Sequence, residues 1–325
     1  MKILILGGTG AMGIHLVNLL NVCTNQVVVT SRSRSVHTGN IEYVKGNAHE
    51  QEFLDVLLNE RWDAIIDFMV YSTQQFKERC DNFLQVTDQY IYLSSSRVYA
   101  ESKTPLTEES PRLLDISEDN AYLLTDEYAL TKARQENILF NNPQKNWTII
   151  RPYITYSDQR LQLGVLEKED WLYRALQNRT IVTSKNIQSK MTTLTSGYDV
   201  ARGIAAILGQ QSALGEAFHI TSDISISWEK VLETYLTVLE SKLSRSPRVL
   251  AQNMKDFMQW RLGKYQIIYD RLYNRSFNNQ KINQYIDTSN FITPEQGLTK
   301  CLQNFLDTDK ITFNNINWRE EASKD

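Results

Sequence analysis

The sequence predicts an α/β fold: a doubly wound parallel sheet covered by helices, with a smaller, discontinuous C-terminal lobe. Three observations predict it. Short β-branched runs alternate with helical stretches in the first half, the first strand meets closely spaced glycines, and polar, aromatic-bearing helices follow Arg151-Pro152. A chain of 325 residues, 42% of them hydrophobic, is long enough to bury the core that such a fold needs.

The first element is a strand, Lys2–Leu6, followed by a GxxGxxG turn and at once by a helix with periodic apolar residues. The first glycine permits the tight turn, the second lets the backbone approach a pyrophosphate, and the third lets the helix pack closely on the strand. The helix N-terminus adds free N–H groups and the positive end of its dipole. Together they predict a Rossmann-type dinucleotide site. Its predicted cofactor contacts are Gly7, Gly10, Ala11, Met12 and Gly13.

The second strand, Val27–Thr30, bears on the type of cofactor. An acidic residue at its end would hold the 2′-hydroxyl of NAD. The residues that follow here are serines and arginines, without a carboxylate. Guanidinium and hydroxyl groups suit a 2′-phosphate, so NADP(H) is favoured, with Ser31, Arg32 and Arg34 as its contacts. The alternative is that these arginines form a solvated loop and that the cofactor is NAD(H).

The third strand, Ile41–Val44, leads into Gly46 and Asn47, and the fourth is Ala64–Met69. The Asn47 amide is a candidate to hydrogen-bond an adenine edge. A Gly-Asn pair is also an ordinary turn sequence, so both interpretations stay open.

The fifth strand, Tyr90–Leu93, runs into the serine-rich segment Ser94–Tyr99, and further along the chain comes a YxxxK motif, Tyr128 to Lys132. Residues at i and i+4 share one face of a helix. An ammonium beside a phenol favours the phenolate, so the pKa of Tyr128 is expected to fall toward the range of proton exchange at neutral pH. Tyr128 is therefore a candidate general acid and base. A sixth strand, Thr148–Ile150, then leads into Arg151-Pro152.

In this order, the glycine turn, the serine-rich strand end, YxxxK and Arg151-Pro152-Tyr153 resemble the extended short-chain dehydrogenase/reductase family, also called NAD-dependent epimerases/dehydratases. The resemblance covers the whole chain. It implies an NAD(P)-dependent enzyme that transfers hydride to or from a nucleotide-activated sugar, as a keto-sugar reductase or a C4 epimerase. It also implies a homodimer.

The resemblance implies a role for each motif residue. Ser95 would hydrogen-bond the substrate oxygen, Tyr128 would exchange the proton, and Lys132 would bind the nicotinamide ribose and lower the pKa of Tyr128. Further implied contacts are Pro152 and Tyr153 with the cofactor, and Ser96 and Arg271 with the substrate, Arg271 at its diphosphate.

Departures from the family pattern narrow the activity. Ser96 and Arg97 stand where dehydratases of the family carry acidic residues, so a sugar 4,6-dehydratase is disfavoured. Ile154 stands where many members have an Asn near the substrate phosphates. The alternative function is a non-catalytic protein on the same fold, one that senses a cofactor or binds RNA.

The second half predicts the lobe. Gln159–Lys190, Ser227–Leu243 and Val249–Leu262 have the character of helices and connections, whereas a helix from Tyr198 and a strand, Ala217–Thr221, return to the sheet. We therefore predict a dinucleotide-binding domain of residues 1–158, to which 190–222 return, and a substrate-binding lobe of 159–189 and 223–325.

Composition and charge disfavour several other classes. The net charge is −3, without long runs of like charge, which disfavours nucleic acid and membrane surfaces as partners. The N-terminal apolar stretch is too short for a signal peptide or a membrane span, so we expect a cytoplasmic protein. Cys23, Cys80, Cys301 and the four histidines lack metal-site spacing, so we expect no metal.

Overall fold

A computed structural model describes residues 1–22, 24–261, 263–313, 316–322 and 324. Eight strands form its main sheet: β1 (Lys2–Leu6), β2 (Gln26–Ser31), β3 (His37–Thr38), β4 (Ile41–Lys45), β5 (Trp62–Asp67), β6 (Thr87–Leu93), β7 (Trp147–Pro152) and β11 (Glu216–Ile220). Their order across the sheet is β11-β7-β6-β5-β1-β2-β4-β3. Neighbouring strands are parallel except β3 and β4. The predicted fold class is confirmed.

Helices cover both faces of this sheet. One face packs against α1 (Gly13–Leu20) and α9 (Gly197–Ile207), and the other against α2 (Gln51–Leu58), α3 (Thr73–Gln85) and α6 (Tyr128–Phe140). Two one-turn helices, α4 (Leu113–Ile116) and α5 (Asn120–Leu123), precede α6. With both faces covered, the central strands are apolar without alternation, and the side chains of Ile3, Leu4 and Ile5 on β1 are all fully buried.

The strand order places the site. From β1 the chain builds outward through β2 and β4, then crosses to β5 on the other side of β1 and continues through β6 and β7. This reversal creates a crevice beyond the carboxyl ends of β1 and β5, where doubly wound proteins bind their ligands.

The remaining elements lie beyond β7. The strands are β8 (Ile154–Tyr156), β9 (Ile181–Ser184), β10 (Met191–Ser196), β12 (Ser225–Ser227) and β13 (Val249–Gln252). The helices are α7 (Lys168–Leu176), α8 (Lys185–Gln188), α10 (Trp228–Leu243), α11 (Met254–Trp260), α12 (Lys264–Gln266), α13 (Pro294–Leu306) and α14 (Trp318–Ala322). A separate core forms here, in which Trp171 stacks on Tyr235 with 4.5 Å between ring centroids.

The chain returns to the main sheet after residue 190, since β11 pairs in parallel with β7 and α9 packs on α1. The chain returns to the main sheet a second time, and this return is not part of the predicted division into domain and lobe. Ile282 and Phe291, which the sequence analysis assigned to the lobe, pack in the same core as α1 and α9. The chain just before Ile282 is anchored by Asn279, whose amide donates to the carbonyl oxygen of Thr221 at 2.7 Å.

The stretch Val249–Leu262, predicted as helices and connections, begins instead with a strand. Val249–Gln252 forms β13, which pairs in parallel with β9, and the helix begins only at Met254. The Asn253 side chain accepts a hydrogen bond from the backbone N–H of Asp256 at 3.0 Å, which favours a helix start there. Leu262 lies outside the described residues.

Within the described ranges no helix is long and apolar enough to cross a membrane. The described side chains also include no group of three or more His, Cys, Asp and Glu that could hold a metal ion. Cys80 and Cys301 are free thiols, and Cys23 lies outside the described residues.

Candidate active site

A cleft of about 540 Å³ opens at the carboxyl edge of the sheet, beside β1, β5, β6 and β7. It is lined by Met12, Phe68, Met69, Val70, Leu93, Ser94, Ser95, Arg97, Tyr128, Lys132, Pro152, Tyr153, Ile154, Thr155, Arg160, Gln162, Glu167, Gln266 and Arg271. The cleft thus unites the three predicted catalytic residues, of which Lys132 is also a predicted cofactor contact, with three further predicted cofactor contacts, Met12, Pro152 and Tyr153. The predicted substrate contact Arg271 lines it as well.

The glycine turn has the geometry that its spacing predicts. Gly7 has φ +71°, and its N–H donates to the Thr30 hydroxyl at 3.0 Å. A Cβ on Gly13 would lie 2.7 Å from the backbone of Gly8, so only glycine permits this contact between helix and turn. A Cβ on Gly10 would meet its nearest atom at 3.9 Å, so its side of the turn is open to a ligand. Ala11 packs tightly too, because a Cβ on Gly197 would lie 2.4 Å from its carbonyl oxygen.

The second strand ends in a turn built by Ser31. Its hydroxyl accepts hydrogen bonds from the backbone N–H groups of Ser33 at 3.3 Å and Arg34 at 3.1 Å. The side chains of Arg32 and Arg34 are exposed, and the guanidinium of Arg34 lies 5.7 Å from the ring centroid of Tyr43. Ser31 therefore shapes the loop, while Arg32 is displayed on it.

Asn47 forms hydrogen bonds within its own turn. Its amide nitrogen donates to the Glu50 carboxylate at 3.2 Å, and its oxygen accepts from the backbone N–H of His49 at 3.2 Å. These contacts match the simple turn that the sequence analysis left open for this residue.

Tyr128 is the first residue of α6. The helix starts there because the Glu127 carboxylate accepts from the backbone N–H of Ala129 at 2.7 Å, as an N-cap. Ser95, which follows β6, is buried, and its hydroxyl accepts from the backbone N–H of Arg97 at 3.2 Å. Lys132 lies one turn along α6 and donates to the carbonyl oxygen of Leu93 at 2.6 Å.

The charges around Tyr128 differ from those expected. Its side chain is 37% exposed to the cleft, yet removal of water by the surrounding protein raises its pKa above the usual value, against lowering by Arg97, Arg160 and a hydrogen bond with Ser95. The guanidinium of Arg97 lies 5.3 Å from the ring centroid of Tyr128. The neighbouring cation is thus Arg97, whereas the YxxxK spacing predicts Lys132.

Lys132 instead lies near two buried carboxylates, Asp67 and Glu136. Burial lowers its pKa to about 8, while Asp67 and Glu136 act in the opposite direction. Burial raises the pKa of Asp67 to about 6, and its carboxylate accepts from the Tyr90 hydroxyl at 2.7 Å and from the backbone N–H of Met69 at 2.9 Å. Sequence reasoning missed Asp67, although a single carboxylate ending an apolar strand was an available signal.

Glu136 is the other residue that the sequence analysis missed. It is fully buried and accepts from Ser94 at 2.6 Å, from Arg151 through both carboxylate oxygens at 2.7 and 2.8 Å, and from Arg112 at 3.1 Å. These contacts tie α6 to β7 and to the serine-rich turn. Its spacing of four residues from Lys132 was the signal in the sequence.

The two predicted substrate contacts are placed differently. Ser96 is fully buried away from the cleft, and its hydroxyl donates to the carbonyl oxygen of Arg151 at 2.7 Å. Arg271 reaches the cleft wall, where it donates to the carbonyl oxygen of Gly164 at 2.8 Å and pairs with Asp270. The Tyr153 hydroxyl also donates to Asp270, at 2.9 Å.

Comparisons with known proteins agree with this fold. The profile of an NAD-binding family described as "Male sterility protein" matches residues 55–195. The chain is similar to a Bacillus cereus UDP-glucuronic acid 4-epimerase solved with UDP-glucuronic acid and NAD, at TM-score 0.70 and 15% identity, covering 94% of this chain and 99% of that one. It is also similar to a dTDP-glucose 4,6-dehydratase from Bacillus anthracis in complex with NAD, at TM-score 0.69 and 19% identity, covering 93% and 96%.

A curated relative is named chloroplast stem-loop binding protein of 41 kDa b, from Arabidopsis thaliana. It is 24% identical over an alignment of 245 residues, and the match covers 70% of this chain. The match spans 60% of the relative's length. The solved structures show that this chain has their fold, and the family profile matches the part of the chain between α2 and β10.

Proposed function

We propose that this chain, an enzyme of the extended short-chain dehydrogenase/reductase type, transfers hydride between a nicotinamide cofactor and a nucleotide-activated sugar, as a keto-sugar reductase or a C4 epimerase. The observation that carries the proposal is the meeting of Ser95, Tyr128 and Lys132 in one cleft beside the glycine turn. Solved relatives of the same fold are an epimerase and a dehydratase of nucleotide sugars, each with NAD.

The glycine turn fits a dinucleotide, because Gly10 leaves its side open while Gly13 holds the helix close. In the proposal this turn binds the pyrophosphate, Lys132 binds the nicotinamide ribose, and Ser31 and Arg32 border the adenosine ribose. A bound nicotinamide supplies or accepts the hydride.

Different observations support NAD(H) and NADP(H) as the cofactor. The NAD complexes of the solved relatives support NAD(H), and the exposed Arg32 on a loop without carboxylates supports NADP(H). Titration of the purified chain with NADH and with NADPH measures the preference. Equal or tighter binding of NADH would contradict the NADP(H) assignment.

The chain's own residues carry the proton and orient the substrate. In the reductive direction the carbonyl oxygen accepts a hydrogen bond from Ser95 and then the proton of Tyr128, while the carbonyl carbon receives the hydride. An alcohol would form, and a bound nicotinamide would supply the hydride and be oxidised. Arg160 and Arg271 line the same cleft and offer cations to a diphosphate.

Replacing Tyr128 by Phe tests the proposal. We expect turnover of UDP- or dTDP-linked sugars to fall at least about 100-fold, because the proton donor is lost, while nicotinamide binding persists. The matched control is Tyr173→Phe, since the ring of Tyr173 packs edge-on against Phe313 and Trp318. Unchanged turnover in Tyr128→Phe would refute the mechanism.

Retention of the cofactor separates the two activities. A nicotinamide that copurifies with the chain and does not exchange indicates an epimerase, which returns the hydride to the same substrate. Free exchange indicates a reductase. A homodimer and a cytoplasmic location stay predictions from the sequence.

The second candidate function is RNA binding, which the name of the curated relative suggests. The net charge of −3 argues against it, because RNA binders present a basic surface. A complex with a stem-loop RNA that weakens steeply as salt rises, together with no turnover of any nucleotide sugar, would favour this alternative.

A further inference from the structure

Arg97 occupies an unusual place beside the catalytic tyrosine. It lies two residues after Ser95, in the turn that follows β6, and its guanidinium stands 5.3 Å from the centre of the Tyr128 ring. Two carboxylates hold it there. Glu127, the residue that caps α6, forms an ion pair with Arg97. A carboxylate oxygen of Asp270 lies 3.4 Å from the Nε of Arg97.

Lys132, by contrast, is directed elsewhere. Its ammonium donates to the carbonyl oxygen of Leu93 at 2.6 Å and lies 4.6 Å from the ring centroid of Tyr92. The acidic groups that act on it are Asp67 and Glu136, beneath the cleft.

We propose that Arg97, rather than Lys132, is the cation that stabilises the negative charge left on Tyr128 when this tyrosine gives up its proton. The inference deepens the proposed function and rests on it for the role of Tyr128. A cation close to an aromatic ring and its oxygen stabilises a phenolate more than a phenol, because only the phenolate carries a full charge.

The two cations also differ in how long they keep their charge. A guanidinium is protonated at every pH at which proteins are folded, and the carboxylates beside Arg97 raise its pKa further, against the lowering by burial. The pKa of Lys132 is lowered to about 8, so its charge is lost as the pH rises toward the range where a phenolate forms. Of these two cations, only Arg97 keeps its charge throughout the titration of Tyr128.

The carboxylates around Tyr128 do not cancel the effect of Arg97 on its pKa. The groups that face Tyr128 or its immediate partners come from several elements. They are Tyr92 on β6, Arg97 in the turn after β6, Glu127 at the cap of α6, Lys132 on α6, Arg160 after β8, and Asp270 behind Arg97. Glu127 raises the pKa of Tyr128, yet less than Arg97 lowers it. Asp270 is shared with Arg271 and Arg275, so guanidinium groups outnumber carboxylates around it.

The test is a titration of Tyr128 in the full chain without substrate. Carbon NMR of ring-labelled tyrosine follows each phenol, and the Tyr128→Phe spectrum assigns the resonance. We expect Arg97→Gln to raise the pKa of Tyr128, Arg97→Lys to restore most of the effect, and Lys132→Met to leave the value near wild type. The proposal is overturned if Arg97→Gln leaves the titration in place, or if Lys132→Met shifts it more.

A variant that should shift the pKa of Tyr128 in the opposite direction keeps the test decisive even if the Arg97 variants misfold. Glu127→Gln removes the anion beside Tyr128 but keeps an acceptor for the N–H of Ala129. The pKa of Tyr128 should then fall, and a rise would contradict the charge arrangement. Arg160→Gln, at an exposed cleft position, should raise the pKa less than Arg97→Gln does.

Turnover supplies an independent readout. At neutral pH, kcat/KM of Arg97→Gln should fall about tenfold or more, and Arg97→Lys should recover most of it. Because the titration uses no substrate, a shifted Tyr128 in a chain that converts no sugar nucleotide would contradict the proposed function and leave this inference intact.

Discussion

At the scale of single residues, Gly10 and Gly13 of the same turn have different roles. A Cβ on Gly13 would press against the backbone of Gly8 at 2.7 Å, whereas a Cβ on Gly10 would meet its nearest atom only at 3.9 Å. We expect Gly13→Ala to lower the melting temperature by several degrees, because helix and turn must move apart. Gly10→Ala should keep the melting temperature and lose affinity for the nicotinamide dinucleotide.

Calorimetry of both variants, with and without cofactor, checks the pair. The stabilisation that added cofactor produces should persist least in Gly10→Ala. Equal melting temperatures for the two variants without cofactor would contradict the packing role of Gly13.

The residues that the sequence identified share a simple property. Ser95 follows the end of β6 and Tyr128 begins α6, so motif and position coincide, and both lie at the cleft. The partners of Arg97 were not predictable in this way. Asp270 is remote in sequence and reaches Arg97 only through the fold, so the local spacing of charges suggested Lys132 instead.

At the scale of elements, the placement of α6 depends on Glu136. Its buried carboxylate binds Arg151 on β7 and Arg112 ahead of α4. We expect Glu136→Gln to cost about 3–5 kcal/mol of the free energy of unfolding, because the Arg151 charge would stay buried without a compensating anion. Lys132, one turn away, should lose part of its ordering with the helix.

Denaturation by urea measures this cost. The control is Glu60→Gln, which removes an exposed ion pair with Lys2 and should change the free energy of unfolding by less than about 1 kcal/mol. A similar effect of both substitutions would contradict the role of the buried network.

Element boundaries were predictable where periodicity was strong. The core strands and α10 lie within a few residues of their predicted places. The stretch from Val249 was not, because four residues that pair with β9 carry little local signal for a strand. Their conformation depends on a partner in a distant part of the chain, which a single sequence does not reveal.

At the scale of the whole molecule, the C-terminal region packs back on the core of the main sheet. His219 on β11 is fully buried, with its Nε2 2.8 Å from the carbonyl oxygen of Asn278 and its Nδ1 3.4 Å from the Tyr99 hydroxyl. It therefore joins the sheet, the serine-rich turn and the tail. The tail was assigned to the lobe because nothing in its local pattern reveals that Ile282 is buried under the sheet.

This junction makes the stability of the whole chain depend on pH. Burial lowers the pKa of His219 from 6.5 to about 4. Between these values the unfolded chain binds a proton and the folded chain does not, so the free energy of unfolding falls as the pH falls from about 6.5 to 4. Between pH 7 and pH 5 this single group should remove roughly 2 kcal/mol.

His219→Gln isolates that contribution. Its amide keeps a donor for the carbonyl oxygen of Asn278 but cannot be protonated, so the variant should lose less stability than the wild type between pH 7 and pH 5. The opposing contribution of Asp67, whose raised pKa makes stability fall as the pH rises from about 4 to 6, is present in both proteins and cancels in the comparison. Urea denaturation of both proteins at the two pH values gives the difference. An identical pH dependence would mean that the His219 junction opens before the rest of the molecule unfolds.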